Sequence, residues 1–231
     1  MSATGREFEG RKVLVTQAGD YMGPPIVERF REEGAEVVAA PGRLTDKLKI
    51  DELVHACPEP DIVIANLAAG PSPHVVGEIE DREWDELFDV MVRPLMWIVR
   101  AFAPGMMERG AGKIVAMTSA APLRGIPATS AYCAARGAQN AFVRAAGLEL
   151  ARGNVQLNGV AQNYVHNEDY YPDSLVATER FQKSLARNVP IGRLAKPHES
   201  ADLALFLASP RSDFIVGQVV PFAGGWTTTT G

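Results

Sequence analysis

Short apolar runs that do not alternate with polar residues recur along the chain, and they constrain its fold more than any other feature. Residues 12–16 (KVLVT), 61–65 (DIVIA) and 113–118 (KIVAMT) are rich in branched side chains and show no regular hydrophilic face. A strand of this kind must be covered on both sides, which is the condition of a parallel sheet wrapped by helices. Further strands are expected at 36–40, 155–161 and 217–220, with helical spacing at 24–33, 84–109 and 130–151. Gly34 and Gly153 stand where two of these helices must stop. Pro94 lies inside the helical stretch 84–109, so a kink is expected there.

This order of elements predicts an α/β fold: a single Rossmann-like, doubly wound parallel sheet with helices on both faces. No linker, internal repeat or low-complexity tract divides residues 1–231, so one domain is expected. The stretch between Ala40 and Asp61 is short for such a fold. A stub of strand at 44–48 and a helix at 51–57 are the most it can hold. A net charge of -5 argues against a nucleic-acid or anionic-membrane partner, because both attract basic surfaces. The two cysteines, Cys57 and Cys133, fit neither a metal spacing nor a disulfide framework. With a polar N-terminus and no long apolar segment, a cytoplasmic location is expected.

In a dinucleotide-binding sheet the turn after the first strand is glycine-rich, so that the backbone can approach the pyrophosphate. Here it reads Thr16-Gln17-Ala18-Gly19-Asp20-Tyr21-Met22-Gly23. Against the Thr-Gly-x-x-x-Gly-x-Gly of short-chain dehydrogenases, Gln17 and Tyr21 replace the first two glycines and only Gly23 remains. Asp20 adds a negative charge near the place of the phosphates, and the second strand ends in Ala39-Ala40-Pro41, with no acid for a ribose hydroxyl. Arg43 reads as a solvated loop residue rather than a partner for a 2′-phosphate. No nicotinamide cofactor is expected, nor any metal.

Ser119 ends a strand at the carboxyl edge of the sheet, where ligands bind in folds of this kind. Thirteen residues later Tyr132 and Arg136 stand at i and i+4 of a long helix and so share one face. A phenol, with a pKa near 10, is a poor base at neutral pH. A permanently charged guanidinium one helical turn away stabilises its phenolate form. Tyr132 is then the candidate base, Arg136 the residue that activates it, and Ser119 the donor that orients a substrate oxygen.

Over nearly its whole length the chain resembles the short-chain dehydrogenase/reductase superfamily, and within it the halohydrin dehalogenases. That family carries Ser…Tyr-x-x-x-Arg in place of Ser…Tyr-x-x-x-Lys, as Ser119, Tyr132 and Arg136 do here. The superfamily's helical Asn corresponds to Met91, and of its Asn-Asn-Ala-Gly only Asn66 is kept. The resemblance implies a lyase that converts vicinal haloalcohols to epoxides with release of halide, without a cofactor. It also implies the reverse opening of epoxides by azide, cyanide or nitrite. A homotetramer is expected on the same ground, with Trp226 near a neighbouring subunit.

The loop after the strand at 155–161 reads Gln162-Asn163-Tyr164-Val165-His166-Asn167-Glu168-Asp169-Tyr170-Tyr171-Pro172. Carried over by position, the resemblance places a halide pocket at Tyr21, Gln162, Asn163, Tyr164, Val165 and Tyr171. Backbone amides of 163–165 would be its donors, although the family often has proline where Gln162 stands. His166 reads as a loop-packing residue. Two other readings stay open: an NADP-dependent reductase in which Arg136 replaces the usual Lys, and a non-catalytic binding protein on the same scaffold.

Overall fold

The computed structural model describes residues 6–70 and 73–228. Six parallel strands form one sheet in the order β2-β1-β3-β4-β5-β6. They are β1 (Lys12–Val15), β2 (Glu36–Ala39), β3 (Ile62–Asn66), β4 (Gly112–Ser119), β5 (Val155–Gln162) and β6 (Val219–Phe222). The chain moves outward from β1 to β2 and then back across to β3. The switch point therefore lies between β1 and β3, and the crevice outside their carboxyl ends is the expected ligand position.

Helices cover both faces. They are α1 (Gly23–Glu32), α2 (Lys47–Ala56), α3 (Asp81–Leu87), α4 (Arg93–Arg109), α5 (Ala121–Arg124), α6 (Ser130–Ala151), α7 (Asp173–Val176), α8 (Glu179–Asn188) and α9 (Pro197–Ala208). Alternate residues of β1 show why its apolar run has no polar side. Leu14 packs in one core with Ile98 and Phe102 of α4, while Val13 and Val15 pack in another with Ile26 and Phe30 of α1. Among the described residues no helix is long and apolar enough to cross a membrane.

Two expectations about local structure change. No stub of strand forms at 44–48. Asp46 instead accepts the amide of Lys49 at 3.1 Å and caps α2, which begins at Lys47, while Leu44 is buried in the preceding loop. The long stretch 84–109 is also not one helix kinked at Pro94. It is broken by a π turn over Phe88–Val92, and Pro94 sits in the first turn of α4. Proline has no amide to close the ordinary i→i−4 ladder, and the Arg93 amide reaches back five residues to the Phe88 carbonyl.

Candidate active site

Gln17 closes the crevice between β1 and β3. Its side-chain amide donates to the Ala68 carbonyl at 3.1 Å and accepts the Ala68 amide at 2.9 Å, pairing with the backbone across the switch point. Asn66, at the end of β3, donates to the carbonyls of Gln17 (2.9 Å) and Asp20 (3.3 Å). Gln17 and Tyr21, at positions where the dehydrogenase pattern has glycine, adopt the left-handed backbone that favours glycine, with φ of 45° and 55°. That conformation costs a side-chain-bearing residue roughly 1–2 kcal/mol. Gly23 stays glycine for packing: a Cβ there would lie 2.5 Å from the Ala18 Cα and the Gln17 oxygen.

The Tyr21 ring lies 4.9 Å from that of Tyr170, and the Arg136 guanidinium carbon is 5.9 Å from its centre. Its hydroxyl accepts from Gln162 Nε2 at 2.9 Å, and Ser200 in turn donates to Gln162 Oε1 at 2.6 Å. Asp20 is exposed on the turn, and so is Arg43 beyond the end of β2. A nicotinamide dinucleotide does not fit these residues. The pyrophosphate crevice holds the Gln17 amide, and the space beside it holds two phenols packed at a tilt.

Ser119 stands at the end of β4, where its Oγ accepts the Ala121 amide at 3.1 Å and so keeps its proton for another partner. Tyr132 and Arg136 rise one turn apart on α6, with Arg136 wholly buried and Tyr132 only 5% exposed. The guanidinium is held from every side. Nε donates to the Tyr132 hydroxyl oxygen at 3.1 Å, and Nη1 donates to Leu67 O (2.9 Å), Met117 O (3.3 Å) and Gln139 Oε1 (2.9 Å). Nη2 approaches the Tyr170 oxygen at 3.4 Å. Gln139 donates onward to the Met91 carbonyl at 2.8 Å, tying the π turn to the site. Burial works against the charge on Arg136, but the phenols of Tyr132, Tyr170 and Tyr21 outweigh it and raise the pKa above its ordinary value. Burial likewise pushes Tyr21 up to about 12, against the opposing effect of Arg136, and raises Tyr170 and Tyr171.

A cavity of about 160 Å³ opens beside these groups. Ser119 and Tyr132 line it, and so do all six residues of the expected halide pocket, Tyr21, Gln162, Asn163, Tyr164, Val165 and Tyr171, together with others that include Tyr170 and Ile126. The donors differ from expectation, however. The Asn163 amide is bonded to the Phe222 carbonyl at 3.0 Å, and the Tyr164 amide donates to Asn163 Oδ1 at 2.9 Å. Pairing of the loop with β6 and with its own side chain has taken two of the three backbone amides. Tyr171 also donates to Asn163 Oδ1, at 2.8 Å, and its ring stacks on Tyr164.

Tyr170 is the residue the sequence reading missed. Its hydroxyl donates to the Ala69 carbonyl, and its ring lies 6.5 Å from that of Tyr132. The adjacent pair Tyr170-Tyr171 was the available signal, since consecutive side chains on a loop can enter one cavity from two directions. On the outer side of the same loop, His166 Nε2 pairs with Asp173 Oδ1 at 3.0 Å, as a loop contact does. Ligand atoms of His166, Glu168 and Asp173 come within 4.8 Å of one another there. Trp226 packs within its own chain, 6.2 Å from the Tyr164 ring and beneath the Arg124 guanidinium.

A family model described as enoyl-(acyl carrier protein) reductase matches residues 3–227. The 5-keto-D-gluconate 5-reductase of Escherichia coli (strain K12) is 32% identical over 227 residues, which cover 96% of this chain and 88% of the relative. A solved structure of a dehalogenation enzyme is 28% identical with a TM-score of 0.87, covering 95% of this chain and 99% of that one. A halohydrin dehalogenase bound to ethyl (2S)-oxiran-2-ylacetate has a TM-score of 0.86 over 94% of this chain and 98% of its own. At 22% identity that last likeness speaks for the fold alone.

Proposed function

The chain belongs to the short-chain dehydrogenase/reductase superfamily, and on that premise we propose that it converts vicinal haloalcohols to epoxides without a redox cofactor. One observation carries this reading. The dinucleotide crevice is filled by Gln17 and Tyr21, while Ser119, Tyr132 and Arg136 stand together on a small cavity. The substrate hydroxyl lies between Ser119 and Tyr132. The Tyr132 oxygen takes its proton while the Arg136 charge stabilises the phenolate. The alkoxide attacks the neighbouring carbon, the carbon–halogen bond breaks, and the halide leaves into the pocket of Tyr21, Gln162, Asn163, Tyr164, Val165 and Tyr171. Epoxide, halide and one proton are the products. By microscopic reversibility a small anion such as azide, cyanide or nitrite opens the epoxide, with Tyr132 returning the proton.

The reductase identity of the Escherichia coli relative favours a second reading, an NADP-dependent reductase with Arg136 in place of Lys. One pair of measurements separates the two. Halide release from a simple chlorohydrin or bromohydrin, with no change in NADPH fluorescence on titration, supports the dehalogenase. NADPH binding in the low micromolar range, without halide release, overturns it.

A further inference from the structure

Two hydrogen bonds outside the reacting groups bear on the donors that the cavity offers. Gln162 lies between Ser200 of α9 and Tyr21, and both Gln162 and Ser200 are buried. A side-chain amide can be turned either way, and only one orientation gives the buried Ser200 proton an acceptor. With Oε1 toward Ser200, the serine proton has an acceptor and Nε2 donates to the Tyr21 oxygen. In the reverse orientation Ser200 becomes an acceptor, and its proton has no other partner among the described hydrogen bonds. A buried donor left unpaired is disfavoured. The first orientation makes Tyr21 an acceptor toward Gln162 and leaves its own proton to be given elsewhere. Tyr170 gives its proton to Ala69, so toward Tyr21 it offers only an oxygen, a neutral acceptor that a charged anion in the cavity bordered by Tyr21 outcompetes. Beside it, Asn163 has its oxygen occupied by the Tyr164 amide and the Tyr171 hydroxyl. Its Nδ2 has no partner among the described residues and belongs to a cavity-lining side chain.

We propose that Ser200, Gln162 and Tyr21 form a relay that presents the Tyr21 hydroxyl, together with the Asn163 amide, as side-chain donors to the anion. The backbone amides of 163 and 164 are not its donors. This rests on the dehalogenase reading for the location of the anion, and it makes a distinct statement about selectivity. Side-chain donors reward a compact, charge-dense anion such as chloride, because the attraction grows as the contact distance shrinks. Iodide draws relatively more from the aromatic edges. Ser200 is then a positioning residue that acts through Gln162, without being among the residues that line the cavity.

The test is the dissociation constant of sodium chloride and of sodium iodide, from the halide-dependent rise in melting temperature at ionic strength held constant with sodium gluconate. Losing one charge-assisted donor in Tyr21→Phe is expected to weaken chloride by about tenfold or more and iodide by much less. Ser200→Ala frees the Gln162 amide to turn and take the Tyr21 proton. Chloride should weaken in that variant too, a result that simple loss of packing would not restrict to chloride. Unchanged chloride affinity in Tyr21→Phe, or equal loss of both halides, overturns the relay. So does a wild-type protein that binds neither halide at near-molar concentration. Chloride binding that responds to Tyr21→Phe in a protein that releases no halide from haloalcohols upholds the relay and ends the dehalogenase reading. Halide release with chloride affinity insensitive to Tyr21→Phe does the reverse.

Discussion

Arg136 Nε donates to the hydroxyl oxygen of Tyr132 at 3.1 Å, from one helical turn further along the same helix. The contact orients the phenol and sets a permanent charge against the atom that takes up the substrate proton in the proposed mechanism. Tyr132→Phe removes that atom and is expected to lower halide release by about a thousandfold or more, in the range for losing a positioned general base. Azide opening of an epoxide should fall with it. Ser119→Ala should cost about two to three orders of magnitude, as for one positioned donor. Steady-state halide release measures both, and near-normal activity in Tyr132→Phe would disprove the mechanism.

Arg136→Lys is expected to be costly for stability as well as activity. The guanidinium serves five acceptors, on Tyr132, Leu67, Met117, Gln139 and Tyr170. An ammonium has three donors, so at least two buried acceptors lose their partner, at about 1–3 kcal/mol each. For a chain of this size that is a fall in melting temperature on the order of 10 °C. Some activity should remain, because the charge remains, with an altered pH profile. A melting temperature within a degree or two of wild type would show that the network is not holding the site.

Gln17 offers a comparison between two variants at one position. Gln17→Ala loses both hydrogen bonds to Ala68 and keeps the left-handed backbone, for a cost of about 2 kcal/mol at about 1 kcal/mol per bond. Gln17→Gly loses the same bonds but relieves a strain of about 1 kcal/mol. The glycine variant is therefore expected to be the more stable of the two, despite its greater freedom when unfolded. Urea denaturation decides, and an alanine variant equal to or better than glycine refutes the strain.

Alkaline pH should destabilise the fold through its phenols. Burial holds Tyr21 in its neutral form up to about 12, while in the unfolded chain it ionises near 10.0. The unfolded state loses this proton first, so the stabilisation is complete below about pH 10 and is lost as pH rises toward 12. Tyr170 and Tyr171 are shifted in the same direction. The melting temperature of wild type is expected to fall over this window, and that of Tyr21→Phe to fall less. Parallel curves for the two proteins would count against it.

The sheet was legible because its strands are buried on both faces, which leaves runs such as residues 61–65 with no alternative environment. Tyr132 and Arg136 were legible because helical spacing puts i and i+4 side by side. The helix cap at Asp46 was a local signal too, and the branched side chains nearby obscured it. Tyr170 and the occupied amides of Asn163 and Tyr164 could not be read in the same way. The partners of Tyr170 and of the Asn163 amide, namely Ala69, Arg136 and Phe222, lie far away in sequence and meet the loop only once the sheet has formed, while the Tyr164 amide is taken by the side chain of its own neighbour Asn163. The replaced glycines are intermediate. Their loss was visible, but not that Gln17 and Tyr21 would adopt a left-handed backbone.

The Gln17 amide across the switch point changes how the protein relates to the cell around it. A dehydrogenase whose crevice is closed by a dissociable nucleotide is more stable when that nucleotide is abundant and less so when it is scarce. Here the occupant is tethered to the chain and never leaves. On the proposed cofactor-free reading, folding stability is thereby uncoupled from the nucleotide pool and does not vary with it. On the same reading, a nucleotide would have to displace both Gln17, paired with Ala68, and Tyr21, packed beside Tyr170.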